Sequence, residues 1–186
     1  MATSTKNAEM PITEYTITVF TENVPGLLSE VVSVFTRIKM NIDTLTVSAS
    51  SIEGIHRFTV VVNCTEKLIK KIVAQLEKKV DVVAAFYYTN DEIVAQEVAL
   101  YKVPTSLFKD GDRVEQLIRQ FNARILTVTD EYAVLEKTGH PTEIKELYSS
   151  LKEIGIYEFV HSGRVAVMKP MEMFSKRLRE MAEQSA

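Results

Sequence analysis

A single cysteine, Cys64, leaves no room for an internal disulfide framework. It ends an apolar run with no histidine nearby, so it reads as a strand-end residue rather than a nucleophile. Histidine is scarce as well. His56, His140 and His161 are dispersed, and none has a second ligand at the short spacing of a metal site. No Walker loop, GxGxxG, GxSxG or HExxH occurs, so the sequence joins no nucleophile, base and stabiliser into a catalytic constellation. Basic charge is not in excess. The formal net charge of −3 argues against a nucleic-acid surface, and Lys70-Lys71 with Lys78-Lys79 read as a solvated helix face. No uncharged apolar stretch reaches the length of a membrane span. Residues 1–10 lack the apolar segment of a signal peptide. The chain is therefore expected to be cytoplasmic, with no membrane and no nucleic-acid partner.

What is present is one pattern used twice. A length of 186 residues allows one large domain or two small ones, and apolar spacing alternates between period 2 and period 3.6. Tyr15 to Thr21 alternates and is rich in β-branched residues, which predicts a strand. Gly26 to Lys39 carries Leu27, Val31, Val34, Phe35 and Ile38 on one helical stripe. Ile42 to Ser48 and Ile55 to Asn63 form two strands around a short turn, hence an antiparallel hairpin. Thr65 to Lys79 predicts a second helix with Leu68, Ile69, Ile72, Val73 and Leu76 inward, and Asp81 to Tyr88 a closing strand.

After a polar boundary at Thr89 to Glu92, the order recurs. Val94 to Val103 reads as a strand, and Asp112 with Glu115 as a capping box opening a helix stripe of Val114, Leu117, Ile118 and Phe121. Ile125 to Thr129 and Tyr132 to Lys137 are short strands. Pro141 starts a helix that stops at Gly155, and Ile156 to His161 closes the sheet, with a continuation at Val165 to Met168. The expected fold class is α+β: two ferredoxin-like βαββαβ units over residues 12–89 and 93–170, then a helical tail over 171–186. In each unit both helices cover one sheet face. Consecutive Val60, Val61 and Val62 predict that the other face of the first unit is covered too.

The stretch from Thr21 to Leu28 (TENVPGLL), between the first strand and helix, holds the chemistry most suited to a ligand. Gly26 permits close backbone approach, and the first amides of the helix favour a carboxylate. Asn23 offers both donor and acceptor, either to cap the helix or to hold a ligand.

The run from Glu22 to Val47 resembles the amino-terminal ACT domain of acetolactate synthase small subunits. Their ENxxGxLSRVxxLFxxRGxNIxSLTV-like pattern is met here by Glu22, Asn23, Gly26, Leu28, Ser29, Val31, Phe35, Asn41, Ile42, Leu45, Thr46 and Val47. Glu97 to Val103, Arg124 to Val128 and His161 to Val165 resemble later runs of the same family, so the likeness extends over roughly residues 15–170. Lys39 departs from the pattern, standing where the family usually has glycine, and Gln96 and His161 replace arginines. The resemblance implies a non-catalytic regulatory subunit of a transferase, in a homodimer whose ACT sheets pair. It implies an effector, a branched-chain amino acid and commonly valine, held by Asn23, Gly26, Leu27 and Leu28 of one chain and Asn41 and Ile42 of the other. No cofactor is expected in this chain; thiamine diphosphate and magnesium would belong to the large catalytic subunit. An ACT-type sensor acting on another metabolic partner, and a small enzyme whose residues converge only in space, are the alternative readings.

Overall fold

The computed structural model describes residues 11–108 and 112–169. They fall into two compact units, residues 11–94 with 167–169 and residues 95–108 with 112–166. The tail helix expected over 171–186 lies outside the described residues.

Unit 1 follows the predicted order: β1 (Thr13–Glu22), α1 (Leu27–Arg37), β2 (Thr44–Ala49), β3 (Ile55–Cys64), α2 (Glu66–Leu76) and β4 (Val82–Tyr88). Its strands lie antiparallel to their neighbours in the order β2-β3-β1-β4. The pleat sends Tyr15, Ile17 and Val19 of β1 to the same side as Phe58, Val60 and Val62 of β3. Val31, Val34 and Phe35 of α1 and Ile69, Ile72 and Leu76 of α2 complete that core. Each such side chain withdrawn from water contributes about 1.5–3 kcal/mol, which ties both helices to one sheet face. The opposite face is buried as well, at Thr16, Thr18, Thr59 and Val61. Cys64 closes β3 inside the core, where burial pushes its thiol pKa up and away from reactivity.

Unit 2 repeats the order with β5 (Ile93–Pro104), α3 (Arg113–Gln120), β6 (Arg124–Val128), β7 (Tyr132–Gly139), α4 (Pro141–Ile154), β8 (Glu158–His161) and β9 (Val165–Met168). The sheet runs β6-β7-β5-β8, and β9 also pairs with β5. Ala99, Tyr101, Val103, Ala133 and Leu135 meet Ile144, Leu147 and Leu151 of α4 in the core. Tyr101 is fully buried and its hydroxyl donates to the Ile144 carbonyl at 2.9 Å, as a buried phenol must find an acceptor. The βαββαβ α+β class is thus present twice.

Two local expectations need correction. Asp112 does precede α3, but its side chain makes no cap hydrogen bond, because its backbone (φ −76, ψ 4) is turned toward helix rather than extended. Glu115 instead pairs with Arg119 one turn on, at 3.3 Å. The closing strand begins at Glu158, two residues later than expected, because Ile156 packs on the core and only the Tyr157 amide reaches β5, bonding Lys102 O at 2.8 Å.

Candidate functional site

The loop after β1 is pinned at both edges. The Glu22 amide donates to Asp81 O at 3.0 Å and the Asn23 amide to Gly54 O at 2.9 Å. Val24 and Pro25 then lead to Gly26, the N-cap of α1, at φ 89 and ψ −14. That left-handed geometry favours glycine, while a side chain built there would meet nothing within 4 Å. Backbone conformation, not crowding, is therefore the reason for glycine at this position, and the space over the helix start is open.

The Ser29 and Glu30 amides both bond the Gly26 carbonyl, at 3.0 and 3.3 Å. Those of Leu27 and Leu28 have no acceptor among the described residues. Asn23 is not a helix cap, since α1 has no side-chain cap at all; its exposed amide side chain also has no partner among the described residues. The loop thus presents two unpaired N–H groups at the positive end of a helix beside an unused carboxamide, a combination suited to a small carboxylate. The two leucines divide. Leu28 is 49% exposed at the loop, whereas Leu27 is only 4% exposed, so it supports the loop from beneath and offers a ligand its amide rather than its side chain.

Asn41 and Ile42 lie elsewhere. β2 begins at Thr44, level with Val61 of β3, which is itself level with Thr16 of β1. Since β2 and β1 run in the same direction, Asn41 stands beyond one end of the sheet and Asn23 beyond the other. The extended chain from Thr16 to Asn23 alone spans roughly 23 Å at about 3.3 Å per residue. One chain does not bring the six predicted residues together; they fall in two separate segments, 23–28 and 41–42.

The second segment is well braced. Asp43 donates its amide to Val61 O at 2.9 Å and accepts from Asn63 Nδ2 at 2.7 Å. Ile42 packs partly on the core beside Met40 and Leu45, and Asn41 is exposed. Before it, Lys39 takes the left-handed conformation (φ 53) that the family's glycine would adopt freely. Sequence reasoning missed both the Asp43–Asn63 brace and the way Lys39 makes the turn. The first needed the register of two strands, but the lysine at a helix end followed by Met-Asn was a visible signal for the second.

A groove of 480 Å³ lies elsewhere on unit 1, lined by Val34, Arg37, Ile38, Gln75, Lys78 and Lys79. Arg37 is the last residue of α1 and Lys78 and Lys79 follow α2, where they complement the helix carbonyls, and Lys79 reaches Glu30 at 3.4 Å. Among the described residues no group of His, Cys, Asp and Glu could hold a metal ion. No helix there is long and apolar enough to cross a membrane.

Comparison with known proteins finds relatives that span both units. Residues 17–84 match the family described as the AHAS small subunit-like ACT domain, and residues 96–170 the family described as the small subunit of acetolactate synthase. The acetolactate synthase small subunit of Mycolicibacterium smegmatis is 32% identical over 155 residues, 83% of this chain and 91% of that protein. That of Bacillus subtilis is 32% identical over 151 residues, 81% and 87%. Among solved structures, the acetolactate synthase small subunit from Thermotoga maritima superposes with a TM-score of 0.77 at 28% identity, covering 86% of this chain and 99% of that one. With likeness in sequence, in both domains and in fold, this chain belongs to the acetolactate synthase small-subunit family.

Proposed function

We propose that this chain is the regulatory subunit of an acetolactate synthase, which activates the large catalytic subunit and transmits feedback inhibition by a branched-chain amino acid, valine first among them. Catalysis, with thiamine diphosphate and magnesium, belongs to the large subunit; this chain supplies control over the synthesis of valine, leucine and isoleucine. The observation that carries the reading is the pair of half-sites at opposite ends of one sheet. In a two-fold dimer, the 23–28 loop of one protomer faces the 41–42 segment of its partner. The effector's carboxylate lies on the Leu27 and Leu28 amides. Its ammonium is held by the side-chain oxygens of Asn23 and of Asn41 of the partner subunit. Its aliphatic group rests against Leu28 and Ile42.

Such a ligand touches two chains at once, so its binding favours one dimer geometry over another, which is the two-state element that allostery needs. Residues 12–89 are the sensing domain in this reading, and 93–170 help to activate the large subunit.

Gly26→Asp tests it. A carboxylate placed over the helix start repels the effector's own, and aspartate tolerates the left-handed backbone better than most residues. Valine affinity measured by titration calorimetry is expected to fall at least tenfold, about 1.4 kcal/mol or more. Activation of the large subunit is expected to persist. Unchanged valine binding by the folded variant would place the effector elsewhere.

A further inference from the structure

The loop that carries Asn23 is tied back to the sheet by one hydrogen bond. Of residues 23–26, Pro25 has no amide, and those of Val24 and Gly26 have no acceptor among the described residues. Only the Asn23 amide is held, donating to Gly54 O at 2.9 Å. That carbonyl belongs to the turn over 50–54 that joins β2 to β3. The place of the Asn23 carboxamide is therefore set by a segment outside the proposed effector site.

The turn has a defined shape. A two-residue hairpin loop is shaped by its backbone alone, whereas a five-residue loop needs further ties. Ser50 supplies them. Its amide donates to Ile55 O at 2.9 Å, and its hydroxyl both donates to Ile52 O at 3.1 Å and accepts from the Ile52 amide at 3.0 Å. The Ile55 amide closes back on Ile52 O at 3.2 Å. Ile52 packs with Ile55 on Phe20 and Ala84, which moors the turn to the sheet. Gly54 completes it at φ 77, where a side chain would meet nothing within 4 Å. Backbone conformation rather than space is what asks for glycine there.

Resting on the effector site proposed above, we propose that Ser50 and Gly54 are positioning residues for effector binding. They fix the turn so that the Gly54 carbonyl holds the Asn23 amide, and with it the Asn23 carboxamide, at a set distance from the unpaired amides of Leu27 and Leu28. Neither residue touches the effector. A small amino acid must reach both groups at once, and hydrogen bonds weaken once the heavy atoms part beyond about 3.2 Å. A loosened turn thus costs affinity while every ligand-contacting side chain remains in place.

The test measures valine binding to the full-length chain by titration calorimetry. Ser50→Ala removes the hydroxyl and both of its bonds, and is expected to raise the dissociation constant about fivefold or more. Ser50→Thr keeps the hydroxyl and is expected to bind within about twofold of the parent. Gly54→Ala is expected to weaken binding likewise, and Gly54→Asn to weaken it less, since asparagine enters the left-handed region more readily. Ile72→Val, in the core under α2, lowers stability without touching the turn and is expected to leave affinity within about twofold. Amide exchange at Asn23, followed by NMR without valine, is expected to quicken far more in Ser50→Ala than in Ile72→Val. Parental affinity in folded Ser50→Ala overturns the proposal, as does equal weakening by Ser50→Thr or by Ile72→Val. If Ser50→Ala does not fold, Gly54→Ala against Gly54→Asn decides, and equal affinities there overturn it. If the unsubstituted chain binds no valine, or Gly26→Asp binds it as the parent does, the effector site itself fails, and that is seen without any variant of the turn.

Discussion

In both units the first helix ends in the same turn. The Lys39 amide bonds Thr36 O at 3.0 Å and the Met40 amide Phe35 O at 3.0 Å; in unit 2 Asn122 bonds Arg119 O at 3.3 Å and Ala123 bonds Ile118 O at 2.9 Å. These are two Schellman turns, each needing one left-handed residue, and Lys39 (φ 53) and Asn122 (φ 52) fill it. The helix starts do not match in this way. α1 begins on a left-handed glycine, with open space above it; α3 begins on Asp112 in a near-helical conformation. The sheet faces differ as well. The second face of unit 1 is buried around Thr16, Thr18 and Val61, whereas in unit 2 Val98, Leu100 and Val160 stand in solvent. One topology thus carries a helix start with two unpaired amides and open space above it in the first unit, and an exposed sheet face in the second.

The strongest way to break this division is to damage one unit and watch the other. Leu147 is fully buried in the unit 2 core. Leu147→Ala is expected to cost about 3 kcal/mol through lost burial and the cavity left behind. Chemical denaturation checks this. Below the unfolding transition, activation of the large subunit is expected to weaken, while valine affinity changes by less than about twofold, the result that sensing confined to unit 1 requires. A parallel loss of valine binding would show that sensing is not confined to unit 1.

A smaller effect sharpens the comparison of the two turns. Lysine pays for the left-handed backbone where asparagine does so less. Lys39→Gly is expected to stabilise the chain by about 0.5–1 kcal/mol after the extra flexibility of glycine in the unfolded chain is offset. Asn122→Gly is expected to give clearly less. Thermal melts of the two variants side by side decide it, and equal gains would mean that Lys39 is not strained.

The smallest expected effect is electrostatic. The Thr138 hydroxyl, and after it the Arg124 guanidinium, hold the Glu136 carboxyl below the usual carboxylate range against the opposing effect of burial. A carboxyl with a lowered folded-state pKa adds stability above its unfolded pKa of about 4.3 and loses it as pH falls through the lower folded value. The stability advantage of the parent over Glu136→Gln is therefore expected to be full at neutral pH and to shrink below about pH 4. Melting both proteins across that range checks the sign; a gap that widened on acidification would contradict it.

The fold was legible because each element carries its own period. The alternation of Tyr15, Ile17 and Val19 and the stripe of Ile69, Ile72 and Leu76 both appear in the core as expected. The loop between the first strand and helix was legible from Asn23, Pro25 and Gly26. Their separation from Asn41 was legible too, since the helical stretch of about fourteen residues between them spans roughly 20 Å, and the strand register agrees. Leu27 was expected to face the ligand, but a helix stripe that begins at position 27 turns that side chain inward with Val31 and Val34. The Arg124–Glu136 pair was invisible for the same reason as the Asp43–Asn63 brace, because each partner comes from a different strand. Capping at Asp112 failed because a sequence signature states which side chains could bond, not which backbone angle the preceding turn imposes.

The central claim is that an effector site is completed only between two chains, and mixing two damaged proteins tests it most directly. Asn23→Ala and Asn41→Ala homodimers are each expected to bind valine poorly, since every site then lacks one carboxamide. In a verified heterodimer one site regains both asparagines and the other loses both. Titration calorimetry of the purified heterodimer is expected to show parental affinity at half the parental number of sites. Binding no better than that of either homodimer would contradict the shared site and leave the two half-sites of this sheet unconnected.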